Sequence, residues 1–266
     1  MGNLVNTLAF PVPPRDLSVH ALRAREGHLV FLTTSPGSQR IPAIHIRRPN
    51  ARFTVIYSHG NAEDVGLSLA YLDMLVHVCE CSVFAYEYPG YSISEGEPSE
   101  RGVYQAINAA YKYLLAQKVA PADIVVFGRS LGTGPSVDLC ARAVDPTVAG
   151  CILQSPLESG VRCVMGTVPS YMFYGLDIFK SYQKVARVRC PVFIMHGEQD
   201  EVVPCANGRA LYATLRQRPD HDDLAYEPVW IPTAGHNNMP VQECLQHCKR
   251  FLQFLDKRNP REASSS

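Results

Sequence analysis

Short apolar runs and stretches of helical period alternate along most of this chain. Residues 29–33 and 41–47 are aliphatic and β-branched runs separated by a turn containing Pro36 and Gly37, which predicts an antiparallel hairpin at one sheet edge. A short run over 54–57 follows. Leu67, Ala70, Tyr71, Met74, Leu75 and Val78 then recur at helical spacing, the mark of a helix with one buried face. The alternation continues with a strand over 82–86, a helix carried by Val103, Ala106, Ile107, Ala110, Tyr111 and Leu114, and a strand over 124–127. A helix follows as far as Ala143. Further strands are predicted over 151–153, 192–195 and 227–231, and helices over 206–216 and 241–255. Strands that alternate with helices predict an α/β class with a mostly parallel central sheet covered on both faces.

Three prolines, Pro11, Pro13 and Pro14, interrupt the loosely patterned first 28 residues, which read as an N-terminal arm. Residues 29–257 read as one domain with no internal repeat or linker, and 258–266 as a flexible tail. Residues 156–189 are a candidate lid, rich in apolar and aromatic side chains from Val164 to Phe179. An acyl-chain groove and an ordinary core helix are both open for them.

Charge removes one class of function. Twenty-five Lys and Arg balance 25 Asp and Glu, so nothing supports the basic patch that a nucleic-acid binder needs. No apolar run approaches the roughly 18 residues of a spanning helix. The nine cysteines are scattered and odd in number, with no C-x-x-C, and no secretory signal precedes the domain. They read as reduced, mostly buried thiols of a cytoplasmic protein. Neither a metal nor a cofactor is implied.

The chemistry is concentrated at Gly128-Arg-Ser130-Leu-Gly132, a G-x-S-x-G directly after a predicted strand and before a predicted helix. A sharp strand-to-helix turn leaves no room for side chains at Gly128 and Gly132, and it lifts the Ser130 hydroxyl above the sheet edge. Serine needs a base to become a nucleophile. In this architecture, the α/β-hydrolase fold, acid and histidine follow the serine in that order. Asp200 lies just past the strand over 192–195, with Glu198 and Glu201 as rivals, and His236 lies in a small-residue loop after the next strand. His196 falls within its strand and reads as structural. Oxyanion donors are expected from the N–H of Leu131 and from the loop after the strand over 54–57, through Asn61 or, as an alternative, Ala62. His59 reads as a structural loop residue, and Glu63 and Asp64 as caps of the following helix. Arg129 suits either an anionic substrate group or a salt bridge at the rim.

Ser58-His-Gly-Asn-Ala-Glu-Asp64, Tyr86-Glu-Tyr-Pro-Gly-Tyr91, Ser94-Glu-Gly-Glu-Pro-Ser-Glu-Arg101 and the serine motif together resemble family 17 of the α/β-hydrolase-domain-containing proteins. Ser155-Pro-Leu-Glu-Ser-Gly160, His196-Gly-Glu-Gln-Asp-Glu-Val202 and Gly235-His-Asn237 extend the likeness, which covers roughly residues 29–256. The resemblance implies a serine hydrolase that removes palmitate from cysteines of membrane-associated proteins, with Ser130 as nucleophile, Asp200 as acid and His236 as base. Two features depart from it. Animal members carry an N-terminal cysteine cluster, whereas the first cysteine here is Cys79, and Arg129 stands where Gln is frequent. A substitute anchor is offered by Met1-Gly2-Asn3-Leu4-Val5-Asn6, which begins like a myristoylation site with Gly2 as the candidate, although Asn6 occupies the position preferred for Ser or Thr. The expected partners are therefore S-acylated proteins and, through an N-terminal lipid, a membrane surface. The rival readings are an esterase or lipase on small substrates and a non-catalytic scaffold of the same fold.

Overall fold

A computed structural model describes residues 10–34, 39–143, 147–165 and 177–260. Its strands are β1 (Leu29–Thr33), β2 (Arg40–Ile46), β3 (Thr54–Ser58), β4 (Ser82–Tyr86), β5 (Ile124–Arg129), β6 (Gly150–Gln154), β7 (Val192–Gly197) and β8 (Val229–Ile231). They form an eight-stranded sheet in the order β1-β2-β4-β3-β5-β6-β7-β8. The β1–β2 and β2–β4 pairs are antiparallel and the rest are parallel. Helices among the described residues are α1 (Arg15–Arg23), α2 (Val65–Cys79), α3 (Glu100–Ala116), α4 (Thr133–Arg142), α5 (Gly160–Met165), α6 (Ser181–Lys184), α7 (Ala206–Arg216), α8 (His221–Leu224) and α9 (Val241–Arg258).

The central strands β3, β4 and β6 are buried along their whole length and mostly apolar because both sheet faces are covered. Successive side chains point to opposite faces, so Ile56, Val126, Leu153 and Ile194 enter the core beneath α3, α4 and α7. Val55, Phe127, Ile152 and Phe193 enter the core beneath α1, α2 and α9. Local signals set the helix starts. The Asp64 carboxylate accepts the Leu67 N–H at 2.8 Å, and the Ser99 hydroxyl accepts the Gly102 N–H at 3.1 Å.

The strand order reverses at β3. The chain leaves β3 into α2 on one face and leaves β5 into α4 on the other. A crevice therefore opens between the C-terminal ends of β3 and β5, the place where open α/β sheets bind ligands.

The arm expected over 1–28 is more ordered than its prolines suggested. Pro14 immediately precedes α1, where a missing N–H costs nothing, and Leu22 of this helix is fully buried with Ile44 and Val55. Arg25 pairs with Asp73 of α2, and Phe10 packs edge-on against Phe179. At the other end, α9 runs on to Arg258, one residue into the expected tail. The Pro36–Gly37 turn, Gly2, the lid candidate's 166–176 and the tail's 261–266 lie outside the described residues.

Among the described parts of the lid candidate, Phe179 is core. It is 2% exposed, packs against Tyr104 at 5.7 Å between ring centroids, and its N–H donates to Glu100 Oε1. All nine cysteines are free thiols, seven of them buried. Among the described residues, no helix is long and apolar enough to cross a membrane.

Candidate active site

The turn after β5 is as tight as its glycines demand. A Cβ on Gly128 would collide with the Gly132 carbonyl and come within 2.6 Å of Ser136 Oγ. A Cβ on Gly132 would strike the Ser58 carbonyl and lie 2.7 Å from His59 O. Ser130 itself takes a left-handed backbone with φ at 51°, a conformation that costs a non-glycine residue on the order of 1 kcal/mol or more. That strain presents its Oγ outward at the start of a short turn leading into α4.

Ser130, Asp200 and His236 arrive from β5, the β7 exit turn and the β8 exit loop, and the fold brings them into one line. Ser130 Oγ lies 3.0 Å from His236 Nε2, and His236 Nδ1 lies 2.8 Å from Asp200 Oδ2. Each of the three residues is 7% exposed. Partner chemistry fixes the tautomer. An ionised carboxylate only accepts, so Nδ1 of His236 carries the proton and Nε2 turns its lone pair to the serine hydroxyl.

Asp200 is held ionised. Burial alone would raise its carboxyl, but bonds from His196, His236 and the Val203 N–H outweigh this and hold it well below the usual carboxylate range. Its Oδ1 accepts the N–H groups of Val202 at 3.0 Å and Val203 at 2.7 Å. His196, expected to be structural, lies with Nε2 3.2 Å from Asp200 Oδ2 and 2.8 Å from the Val203 carbonyl. Since that carbonyl can only accept, Nε2 carries the proton and is shared between the two oxygens. The sequence did hold a signal for this contact: His196 and Asp200 are four residues apart across a strand exit. The rival acids lie elsewhere. Glu198 pairs with Arg209 at the surface, and Glu201 is exposed.

The loop after β3 lies directly against Gly132 through the backbone of Ser58 and His59. This loop is heavily fastened. His59 Nε2 bonds the fully buried Glu87 at 2.8 Å, Tyr88 Oη donates to the His59 carbonyl at 2.7 Å, and Tyr91 Oη donates to Asn61 Oδ1 at 3.3 Å. Ala62 adopts a left-handed φ of 56°. Asp64 caps α2 as expected. Glu63 does not: it accepts the Gly60 N–H at 3.0 Å and pairs with Arg129. Of the two readings open for Arg129, the rim salt bridge is the one that forms. Among the described residues, no group of three His, Cys, Asp or Glu side chains could hold a metal.

Likeness to known proteins shows the family and the fold. The chain is 35% identical to human α/β-hydrolase-domain-containing protein 17B over 241 residues, covering 90% of this chain and 78% of that protein. It belongs to the α/β-hydrolase-domain-containing protein 17 family. Mouse protein 17C from the same family is 36% identical over 87% of this chain and 68% of its own length. Residues 166–259 also match the prolyl oligopeptidase family, and residues 40–147 match the Chlamydia CHLPS protein family. Among solved structures, the Pyrococcus furiosus esterase Pf2001 superposes with a TM-score of 0.65 at 17% identity, covering 93% of this chain and 99% of that one. A Paleococcus ferrophilus monoacylglycerol lipase superposes with a TM-score of 0.60 at 17% identity, covering 82% and 99%. Likeness at that identity shows the fold, and the family 17 membership makes this protein an α/β hydrolase.

Proposed function

We propose that this family 17 member is a serine hydrolase that cleaves acyl thioesters, foremost the palmitoyl-cysteine of membrane-associated proteins, with Ser130, His236 and Asp200 as its catalytic triad. The observation that carries the reading is the unbroken bonded line from Ser130 Oγ through His236 to Asp200. The curated relatives of the same family support the hydrolase part of it.

In the first step Ser130 Oγ attacks the acyl carbonyl while His236 Nε2 takes the hydroxyl proton. A new C–O bond forms, and the carbonyl electrons move onto oxygen, where the N–H groups of Leu131 and Asn61 receive the charge. Asp200 stabilises the imidazolium that results. The tetrahedral intermediate collapses, the C–S bond breaks, and the cysteine sulfur leaves with the bond's electrons and then takes up the proton held on His236 Nε2, which returns the imidazole to its neutral form. Its thiol pKa near 8.5 makes it a good leaving group that needs little help from His236 as an acid. Water then attacks the acyl-serine, giving its proton to His236, and Ser130 is regenerated as the fatty acid departs.

No cofactor takes part. Access to the membrane surface would come from lipid on Gly2. One myristoyl chain holds a protein there only marginally, and the balanced charge of the chain adds no bulk attraction.

A panel of acyl esters and acyl thioesters with chains from two to sixteen carbons tests this reading. The expected result is a higher kcat/KM on long-chain thioesters than on matched esters. Strong turnover of short esters beside weak thioester cleavage would make the protein an esterase or lipase instead.

A further inference from the structure

Glu87 is a buried carboxylate that the triad does not use. It directly follows β4, is 0% exposed, and its own N–H donates to the Pro42 carbonyl of β2 at 3.0 Å. The sheet therefore holds its backbone and aims its side chain. Oε1 accepts His59 Nε2–H at 2.8 Å and the Tyr88 N–H at 2.9 Å, and Oε2 accepts the Val65 N–H at 3.0 Å. A carboxylate only accepts, so each of these groups donates to it.

His59 and Val65 are the two ends of one arch, the segment that joins β3 to α2 and carries Asn61. The arch starts on the nucleophile turn, where the His59 carbonyl lies 2.7 Å from the position of a Cβ on Gly132. Inside the arch the Gly60 N–H donates to Glu63 Oε2 at 3.0 Å, and Tyr91 Oη donates to Asn61 Oδ1 at 3.3 Å. The His59 ring lies against Tyr88, with centroids 3.9 Å apart. Ala62 takes a left-handed φ of 56°, a conformation that persists only where the surroundings over-determine it. One rigid carboxylate thus fixes both ends of the arch. Burying a carboxylate is costly even when it is well bonded, and an apolar side chain fills the same space without that cost. Packing alone does not account for Glu87.

We propose that Glu87, acting through His59 and Val65, is the positioning residue that sets the Asn61 N–H for the oxyanion of the acyl-transfer step. The proposal rests on the reading above of Ser130 as nucleophile and Asn61 as an oxyanion donor. Glu87 touches neither substrate nor reacting atoms. Its effect is felt in the transition state, because a donor aimed at developing charge gains most when the carbonyl oxygen becomes an oxyanion. Glutamine keeps the shape of this residue but not its bonding. It offers one accepting oxygen and one donating amide. Its NH2 meets the Val65 N–H in one orientation and the Tyr88 N–H in the other, so the two prongs cannot both be satisfied.

Steady-state kinetics on whichever acyl thioester or ester the enzyme cleaves faster tests the assignment, together with inhibition by an alkylboronic acid, which forms a tetrahedral adduct on an activated serine. Folding is checked by circular dichroism. Glu87→Gln is expected to lower kcat on the order of 10²-fold with KM nearly unchanged, and to weaken the boronic acid by a similar factor. His59→Gln keeps an N–H for Glu87 and should lose less activity than His59→Leu. That pair decides the matter if Glu87→Gln does not fold. A lower unfolding midpoint with kcat and boronic acid affinity intact would make Glu87 a folding residue only and overturns the proposal. So does a rise in KM with kcat kept, which would place its effect in substrate binding. Ser130→Ala separates the two readings. If it is inactive while Glu87→Gln turns over like the wild type, the nucleophile stands and the positioning role fails. If it stays active, the nucleophile reading fails and the proposal with it.

Discussion

The two flanks of Ser130 are built in opposite ways. On the acid side both oxygens of Asp200 are used: two histidine nitrogens on one and two backbone N–H groups on the other. On the side packed by α2 and α9, Tyr71 Oη and Gln154 Oε1 are buried without partners among the described residues. The bonded carboxylate fixes one geometry before any substrate arrives, which is what electrostatic preorganisation requires. The other flank is held by apolar packing instead. Hydrogen bonds are thus concentrated on the group whose charge the reaction uses.

The largest effect should come from the bonded flank. Asp200→Asn keeps the shape but offers an amide in place of the carboxylate, removing the charge that fixes the proton on His236 Nδ1. A fall in kcat of about 10⁴ is expected, measured on a chromogenic acyl substrate with folding checked by circular dichroism. A loss of less than tenfold would mean that another acid serves His236.

His196→Leu should cost stability on the same flank. Removing one donor from an ionised carboxylate is expected to lower the unfolding free energy by roughly 1.5–3 kcal/mol, read by urea denaturation at neutral pH. The pH dependence has a definite sign. Asp200 is depressed in the folded state, so its contribution is present above the unfolded carboxyl value near 3.9 and lost as pH falls through the folded value. The gap between wild type and His196→Leu should therefore narrow on acidification. A gap that stays constant at low pH would show that His196 acts by packing alone, against the Cα of Gly208.

The smallest effect belongs to the other flank. Tyr71→Phe deletes a hydroxyl with no hydrogen-bond partner among the described residues, so the unfolding free energy should hold or rise, by up to about 1 kcal/mol, read by urea denaturation. A substantial loss of stability would show that the hydroxyl is already satisfied, and the two flanks would then be alike.

Much of this was legible in the chain. The strands start and stop within about two residues of the apolar runs, because a sheet covered on both faces needs uninterrupted apolar sequence. Ser130, Asp200 and His236 were findable because each lies in the turn or loop that leaves a strand and the serine is framed by glycines. What escaped depends on contacts distant in sequence or on a choice between neighbours. Helix α1 is short, and only its docking on α2 gives it purpose. The bond from His196 to Asp200 forms because the turn after β7 folds back on its own strand. Glu63 reaches Arg129 and leaves the cap to Asp64, a choice that periodicity does not encode.

The proposed chemistry needs Ser130 to be an activated nucleophile, and covalent labelling reads that property on the residue itself. A fluorophosphonate probe followed by intact-mass and peptide analysis should place one adduct on Ser130. Ser130→Ala should carry none, Asp200→Asn should label far more slowly, and an acyl-cysteine peptide should protect the wild type. A wild-type protein that stays unlabelled, or one labelled at a residue other than Ser130, would contradict it.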